Sequence, residues 1–370
     1  MLDTIGGPMS KMNKLAYPNL FIQICLLAFL SLALLMAGCV PKEPPLPKEL
    51  ILYNWVEYMP QAVMDAFAKE YGVTIKYVAY ESQEEAVTNI QAGNVYDLVV
   101  LGPEFIPQLA EENRLKPIDY RNIPNFKNVS ASFRDLAFDP ENKYSIPFHW
   151  GTTGILVRTD LVDQPITSWN DLWNPAVAGK VGVWAIARSL IPITLKALGH
   201  SANSENPVEL EEAHQYLLKL KSNAIIVSGL EPSVTPMLES GKLEIAYGWA
   251  YDASLAKASN VPIEYIIPQE GTILWTDHFF IPANANNPRG AELFLNFILQ
   301  PEIAAQIVNE SYYPMAVDGI EPFVLPEILQ NPVVFPDDAQ LKNAEITLPI
   351  HAERKWIFDE IWADFMKGNP

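Results

Sequence analysis

Large aromatic rings recur beside carboxylates where apolar runs give out. Trp55 and Tyr58 bracket Glu57 after an apolar run at 49–54, and Trp249 and Tyr251 precede Asp252 after a run at 243–247. Trp275 stands two residues before Asp277, and Tyr313 precedes Pro314 in a loop. At a spacing of two, Trp275 and Asp277 point to the same side of a strand. Ring faces attract ammonium groups and stack on methylenes, at about 0.5–2 kcal/mol per contact. A carboxylate adds a charge-assisted hydrogen bond. Such a set suits an organic cation, and a few of these contacts in a closed cleft support micromolar binding. For any single ring, core filling accounts for the residue at least as well; the repeated placement at strand ends favours a site.

Catalytic chemistry finds little support. G-x-S-x-G, H-E-x-x-H, C-x-x-C, the P-loop and G-x-G-x-x-G are all absent. The five histidines (His149, His200, His214, His278 and His351) are scattered without ligand spacing, so neither a metal nor a cofactor is expected. The acid pairs Glu84-Glu85, Glu111-Glu112 and Asp337-Asp338 are adjacent in sequence, diverge on a helix and read as solvated faces. Three rival readings stay open. A secreted enzyme could use Asp277 with His278, although neighbours on a strand point oppositely. A binder of a sugar or carboxylate would aim an arginine into its cleft, and Arg188 is the candidate. A receptor that has lost its ligand would act as a sensor or scaffold.

The elements that must position these residues alternate. Residues 49–54 read as a strand, 60–70 as a helix with Val63, Met64, Phe67 and Ala68 on one stripe, and 73–79 as a second strand. Ser82, with Glu85 three residues on, caps a further helix. The run 97–101 has the apolar character of a buried parallel strand. A second alternating block follows: strands at 181–184, 225–228, 243–247 and 263–267, with helices at 188–198 and 209–221. Helices at 288–299, 301–309 and 352–366 close the chain. This order implies an α/β fold with helices covering a largely parallel sheet. Two such lobes leave a cleft between them, where ligands prefer to bind. With crossings around 150–155 and 281–283, lobe 1 is expected to hold 50–152 plus 284–350, and lobe 2 to hold 153–283. Residues 351–370 form a C-terminal helix.

Of the 370 residues, 44 are Asp or Glu and 25 are Lys or Arg, giving a net charge of −19 that argues against a nucleic-acid partner. Lys11 and Lys14 precede an apolar run at 20–36 that ends in Ala37-Gly38-Cys39. A charged start, an apolar stretch and small residues before a cut site read as a secretory signal over 1–38. Small residues abutting a cysteine have the form of a lipobox, so Cys39 is expected to carry a lipid. Cys25 would leave with the signal, and no structural disulfide would remain. The Pro-rich stretch 39–48 is an extended tether.

Tyr53-Asn54-Trp55-Val56-Glu57-Tyr58-Met59-Pro60 resembles the start of the periplasmic spermidine/putrescine-binding proteins of ABC transporters. Matches continue in order through Tyr80-Glu81-Ser82, Tyr96-Asp97-Leu98-Val99-Val100 and Tyr144-Ser145-Ile146-Pro147-Phe148-His149-Trp150-Gly151. Ser168-Trp169-Asn170-Asp171-Leu172-Trp173, Trp275-Thr276-Asp277, Ile281-Pro282-Ala283-Asn284-Ala285 and Tyr313-Pro314 complete the series. The resemblance implies a two-lobed, class II periplasmic-binding-protein-like fold that closes on its ligand. It implies no chemistry, a polyamine delivered to ABC permease and ATPase subunits, and a monomeric receptor in the periplasm. It also implies that Trp55, Tyr58, Trp249 and Trp275 line the polyamine channel, that Asp277 binds an amine, that Tyr313 contacts ligand and that Glu57 is a further acid nearby. Family members carry an Asp and, three residues later, a Glu that hold a terminal amine; the matching positions here are Ile186 and Ser189. The polar-aromatic stretch usual after Val100 is replaced by Leu101-Gly102-Pro103-Glu104-Phe105, and a Gln by Thr347. Glu104 would compensate if it faced the cleft.

Overall fold

The computed structural model describes residues 45–56, 58–227, 234–253 and 261–368. The signal segment, Cys39 and Glu57 therefore lie outside the described residues.

The first strand, β1 (Glu49–Trp55), places Leu50 and Leu52 on one face and Tyr53 on the other, all buried. It pairs in parallel with β2 (Thr74–Tyr80) and β3 (Leu98–Leu101). Alternation at period two explains why both faces must be covered. Helix Gln61–Tyr71 lays Val63, Met64 and Phe67 on the Leu50–Leu52 face and stops at Gly72, whose φ of 68° a side chain would strain. Helix Gln83–Gln91 covers the Tyr53 face with Ala86, Val87 and Ile90. Its start follows the capping rule: Ser82 Oγ accepts the Glu85 N–H at 3.1 Å. After β3, helix Ile106–Glu111 leads to the short strand β4 (Leu115–Lys116).

The long strand β5 (Ser145–Arg158) passes straight through the place where the sequence suggested a crossing. Beyond it, β6 (Val181–Trp184) lies between β7 (Ala224–Val227) and β8 (Ile245–Trp249), parallel to both. Next come β9 (Ile263–Ile266), β10 (Ile273–Pro282) and β11 (Glu345–Ile346). The main sheet runs β2-β1-β3-β10-β5-β8-β6-β7. Within it β10 is antiparallel to β3 and β5, and β5 is antiparallel to β8. Two parallel groups are thus joined into one sheet by a central antiparallel pair.

That pair also joins two cores. Phe279 and Ile281 of β10 pack with Leu52, Val100 and Phe148, under helices Pro288–Ile298 and Pro301–Ser311. At the other end of the sheet, Ile155 and Ile273 pack with Val183, Leu195, Leu217 and Tyr247. The C-terminal helix Lys355–Met366 adds Phe358, Ile361 and Phe365 to this second core. Between the two, the β5–β10 register slips between Thr276 and His278, leaving Asp277 at the irregularity. No helix among the described residues is long and apolar enough to cross a membrane.

Candidate functional site

The slipped register puts Asp277 where the two cores meet. Asp277 is 8 % exposed, and Tyr58 donates its phenolic proton to Oδ2 at 2.7 Å. Burial pushes the carboxyl up to about 7, the Tyr58 hydrogen bond opposes that rise, and the negative charge of Glu104 adds to it. Burial and the nearby Asp277 charge hold the Tyr58 hydroxyl well above its usual value, so it stays a donor.

The position of Tyr58 follows from the end of β1. Its N–H donates to Tyr77 Oη at 3.3 Å, and Tyr77 Oη in turn donates to the Trp55 carbonyl. Tyr313 comes from the opposite direction. The helix Pro301–Ser311 ends with Tyr312 in the left-handed region at φ 59°, which reverses the chain. The following segment then lies along β5: Trp150 N–H donates to the Pro314 carbonyl at 3.1 Å, and His149 Nδ1 donates to the same oxygen at 3.2 Å. Burial lowers the His149 ring to about 3, leaving it neutral.

Around this anion the rings converge. Tyr313 lies 5.4 Å from Tyr58 and 5.4 Å from Trp275, edge-on to the latter, and 5.8 Å from Tyr251. Trp275 lies over Gly151, its partner across the strand pair; a Cβ there would stand 2.7 Å from the indole Cε2. The Trp275 indole N–H is buried without a hydrogen-bond partner. Tyr251 follows β8 in the second core's half of the chain, whereas Tyr58 follows β1 in the first.

Of the sequence-derived set, Tyr58, Trp275, Asp277 and Tyr313 form one connected cluster. Trp55 instead stacks obliquely on Tyr80 at 4.7 Å, and Trp249 meets Trp184 at 5.6 Å. The parallel register pairs Trp55 with Tyr80, whose hydroxyl feels the Asp277 charge. Sequence reasoning did not count Tyr80 and Trp184 as site residues. The usable signal was the same as for Trp55: each is the last residue of its strand. Asp252 is fully buried, and its Oδ2 accepts the Trp249 N–H at 2.9 Å. Asp277 and His278 do not work as a pair. His278 turns to Thr276 Oγ1 at 3.1 Å and to the Phe138 ring, and burial lowers it to about 3.

Glu104 and Arg188 approach the same region from opposite cores. Glu104 follows β3, and Arg188 sits in the first turn of helix Ala187–Ala197, after β6. Each feels the other's charge, and Glu104 also feels Glu84. Strand ends carrying rings, one buried carboxylate and a charge of each sign can hold an amine by hydrogen bonding and ring faces. No group of three or more His, Cys, Asp or Glu among the described residues is arranged to hold a metal. A groove of about 420 Å³ lined by Leu210, His214, Trp356 and Ile361 lies apart from this cluster and contains none of its residues.

The chain is similar to known proteins over most of its length. Residues 62–331 match the family model described as bacterial extracellular solute-binding protein. The spermidine/putrescine-binding periplasmic protein of Escherichia coli strain K12 is 34 % identical over 323 residues, covering 86 % of this chain and 92 % of that one. The putrescine/agmatine-binding protein of Pseudomonas aeruginosa is 28 % identical over 370 residues, covering 94 % of this chain and 100 % of its own length. Among solved structures, PotD of Streptococcus pneumoniae, a spermidine/putrescine ABC transporter substrate-binding protein, superposes with a TM-score of 0.78 at 28 % identity. That match covers 86 % of this chain and 98 % of the other. The TpPotD lipoprotein of Treponema pallidum also reaches 0.78, at 25 % identity, over 86 % and 99 % of the two chains. The fold is thus that of the two-lobed periplasmic-binding-protein type. With most of its length matched by the family model and by a relative at 34 % identity, the chain belongs to the bacterial extracellular solute-binding proteins.

Proposed function

We propose that this chain is the lipid-anchored, extracytoplasmic receptor of an ABC importer and that its cargo is a polyamine or related organic cation. The observation that carries the reading is the Tyr58–Asp277 hydrogen bond at 2.7 Å, ringed by Trp275 and Tyr313. A buried carboxyl at about 7 sits poised: an arriving ammonium stabilises its charged form, and water gives it little competition. Trp55, Tyr58, Trp249 and Trp275 serve as ring walls, Asp277 as principal anion, Glu57 as a second acid and Tyr313 as a latch. Lobes drawn at 50–152 with 284–350, and at 153–283, close over the cargo by bending where β5 and β10 pass between the cores. Closure shifts the population towards the form that the permease and its ATPase read. The receptor works as a monomer in the periplasm and performs no chemistry. The names of the relatives, which bind spermidine and putrescine, support the cargo class.

Thermal unfolding in the presence of amines, sugars and carboxylic acids tests the cargo class. Organic cations are expected to raise the unfolding temperature by mass action, and sugars to leave it unmoved. Stabilisation by sugars alone would sink the reading.

The anchor rests on Ala37-Gly38-Cys39 after the apolar run, followed by a Pro-rich tether. Cys39→Ser should move the protein from the membrane fraction to the soluble fraction and abolish incorporation of a labelled fatty acid. Retention of the label would place the lipid elsewhere.

A further inference from the structure

The irregularity beside Asp277 has a definite form. In the β5–β10 pair Thr276 faces Trp150 and His278 faces Pro147, so the single residue Asp277 lies opposite both Phe148 and His149. The extra residue is therefore on β5 and makes a β-bulge, beside which Pro147, with no N–H to give to a ladder, is well placed. Neighbours on a regular strand point to opposite faces. Here the rings of Phe148 and His149 lie 3.8 Å apart, and both meet Tyr58, at 5.7 and 4.8 Å. The bulge has thus turned His149 onto the Tyr58 ring, whose hydroxyl gives its proton to Asp277.

Polar contacts hold His149 in that place. The residue is 1 % exposed, and its Nδ1 lies 3.2 Å from the Pro314 carbonyl. A carbonyl only accepts, so Nδ1 carries the ring proton, and Nε2 is a bare, buried nitrogen without a hydrogen-bond partner. Burial keeps the ring neutral, so it sets no positive charge beside an arriving ammonium. The Pro314 carbonyl also takes the Trp150 N–H at 3.1 Å, and the Ala316 N–H reaches the Phe148 carbonyl at 2.9 Å. The segment that carries Tyr313 is thereby tied to the bulge on both sides of His149. The Tyr313 ring lies 5.8 Å from the imidazole and 5.4 Å from Tyr58. We propose that His149 is a positioning residue of this site: it holds the Tyr58 ring so that its hydroxyl stays on Asp277, and it holds Tyr313 against that ring. A donor and a latch fixed before the cargo arrives reduce the ordering that binding must impose. The consequence for cargo rests on the cation-receptor reading; the consequence for Asp277 does not.

Asp277 itself reports the effect in the absence of cargo. The titratable groups that act on it or feel its charge are Tyr58, Glu104, Tyr80 and Tyr313, and the Tyr58 hydrogen bond lowers its ionisation midpoint. Carbon-13 NMR of the aspartate carboxyls in the ligand-free full chain follows that midpoint, and the signal lost in Asp277→Asn assigns it. His149→Phe keeps a ring beside Tyr58 but has no N–H for Pro314. It is expected to raise the midpoint by about half a pH unit or more, because Tyr58 is loosened. Tyr58→Phe should raise it by about one unit or more. Adding His149→Phe to Tyr58→Phe should raise it no further, as required of a residue that acts through another. In calorimetry with putrescine and spermidine, His149→Phe is expected to bind about three- to tenfold more weakly than the parent at neutral pH. Should His149→Phe fail to fold, His149→Gln takes its place, since its amide stands where Nε2 does rather than Nδ1. An unmoved midpoint, full additivity in the double variant, or undiminished binding of an amine that the parent binds would overturn the proposal. If the parent binds neither amine while the midpoint moves as stated, the cation-receptor reading fails and the role of His149 stands.

Discussion

Asp277→Asn is expected to abolish amine-induced stabilisation, weakening cargo binding by about a hundredfold or more, because a cation would then be buried without its anion. The same substitution should stabilise the ligand-free protein above neutral pH. In the folded chain this carboxyl ionises at about 7, against 3.8 for the unperturbed group. Between those values the folded state holds a proton that the unfolded state has lost. Raising the pH through that window therefore drains stability, and the loss is complete above 7. Asparagine mimics the protonated acid and escapes the penalty, which is on the order of 4 kcal/mol at most. Below about pH 4 the two proteins should unfold alike. Cargo affinity moves the other way, since an ammonium needs the ionised form: it should fall about tenfold per pH unit below 7. Denaturant unfolding across pH and calorimetric titration of the amine check both signs. An unchanged ligand response in Asp277→Asn would mean that the anion lies elsewhere.

Gly151→Ala should cost about tenfold or more in cargo affinity while lowering stability by only about 1–3 kcal/mol. The new methyl would stand 2.7 Å from the Trp275 Cε2. Neither backbone can retreat, because Trp275 and Gly151 face each other in the β5–β10 pair. The indole must swing off the strand and away from Tyr313, which it now meets edge-on at 5.4 Å. Tryptophan fluorescence should report the displaced ring, and calorimetry the lost affinity. A variant that binds like the parent would show that Trp275 is not a wall of the site.

Local patterns carried most of the secondary structure. The Ser82 cap with Glu85 three residues on starts its helix as the sequence suggests, and the stripe Val63, Met64, Phe67 is the buried face of Gln61–Tyr71. The run at 181–184 coincides with β6, since an all-apolar segment between a glycine turn and a helix has few alternatives. What escaped was the span of β5. Its fourteen residues include Trp150, Gly151 and paired threonines, whose composition mimics a linker. Only pairing with β10, β8 and β9 makes that stretch a strand.

The site divides along the same line. That rings and acids would cluster at strand ends was written in residue order, because strand direction and period two are local properties of the chain. Which of them meet was not. Tyr58 and Asp277 are separated by 219 positions and are joined by a register slip at one residue. Tyr313 depends on a left-handed Tyr312, and Trp275 on a glycine across the sheet. The sequence by itself settled the alternating elements, the acidic surface and the family of receptors. The tertiary structure alone decided that Asp277 loses its water and meets the Tyr58 hydroxyl. Desolvation is a property of the packed neighbourhood, and no stretch of chain holds that neighbourhood within itself.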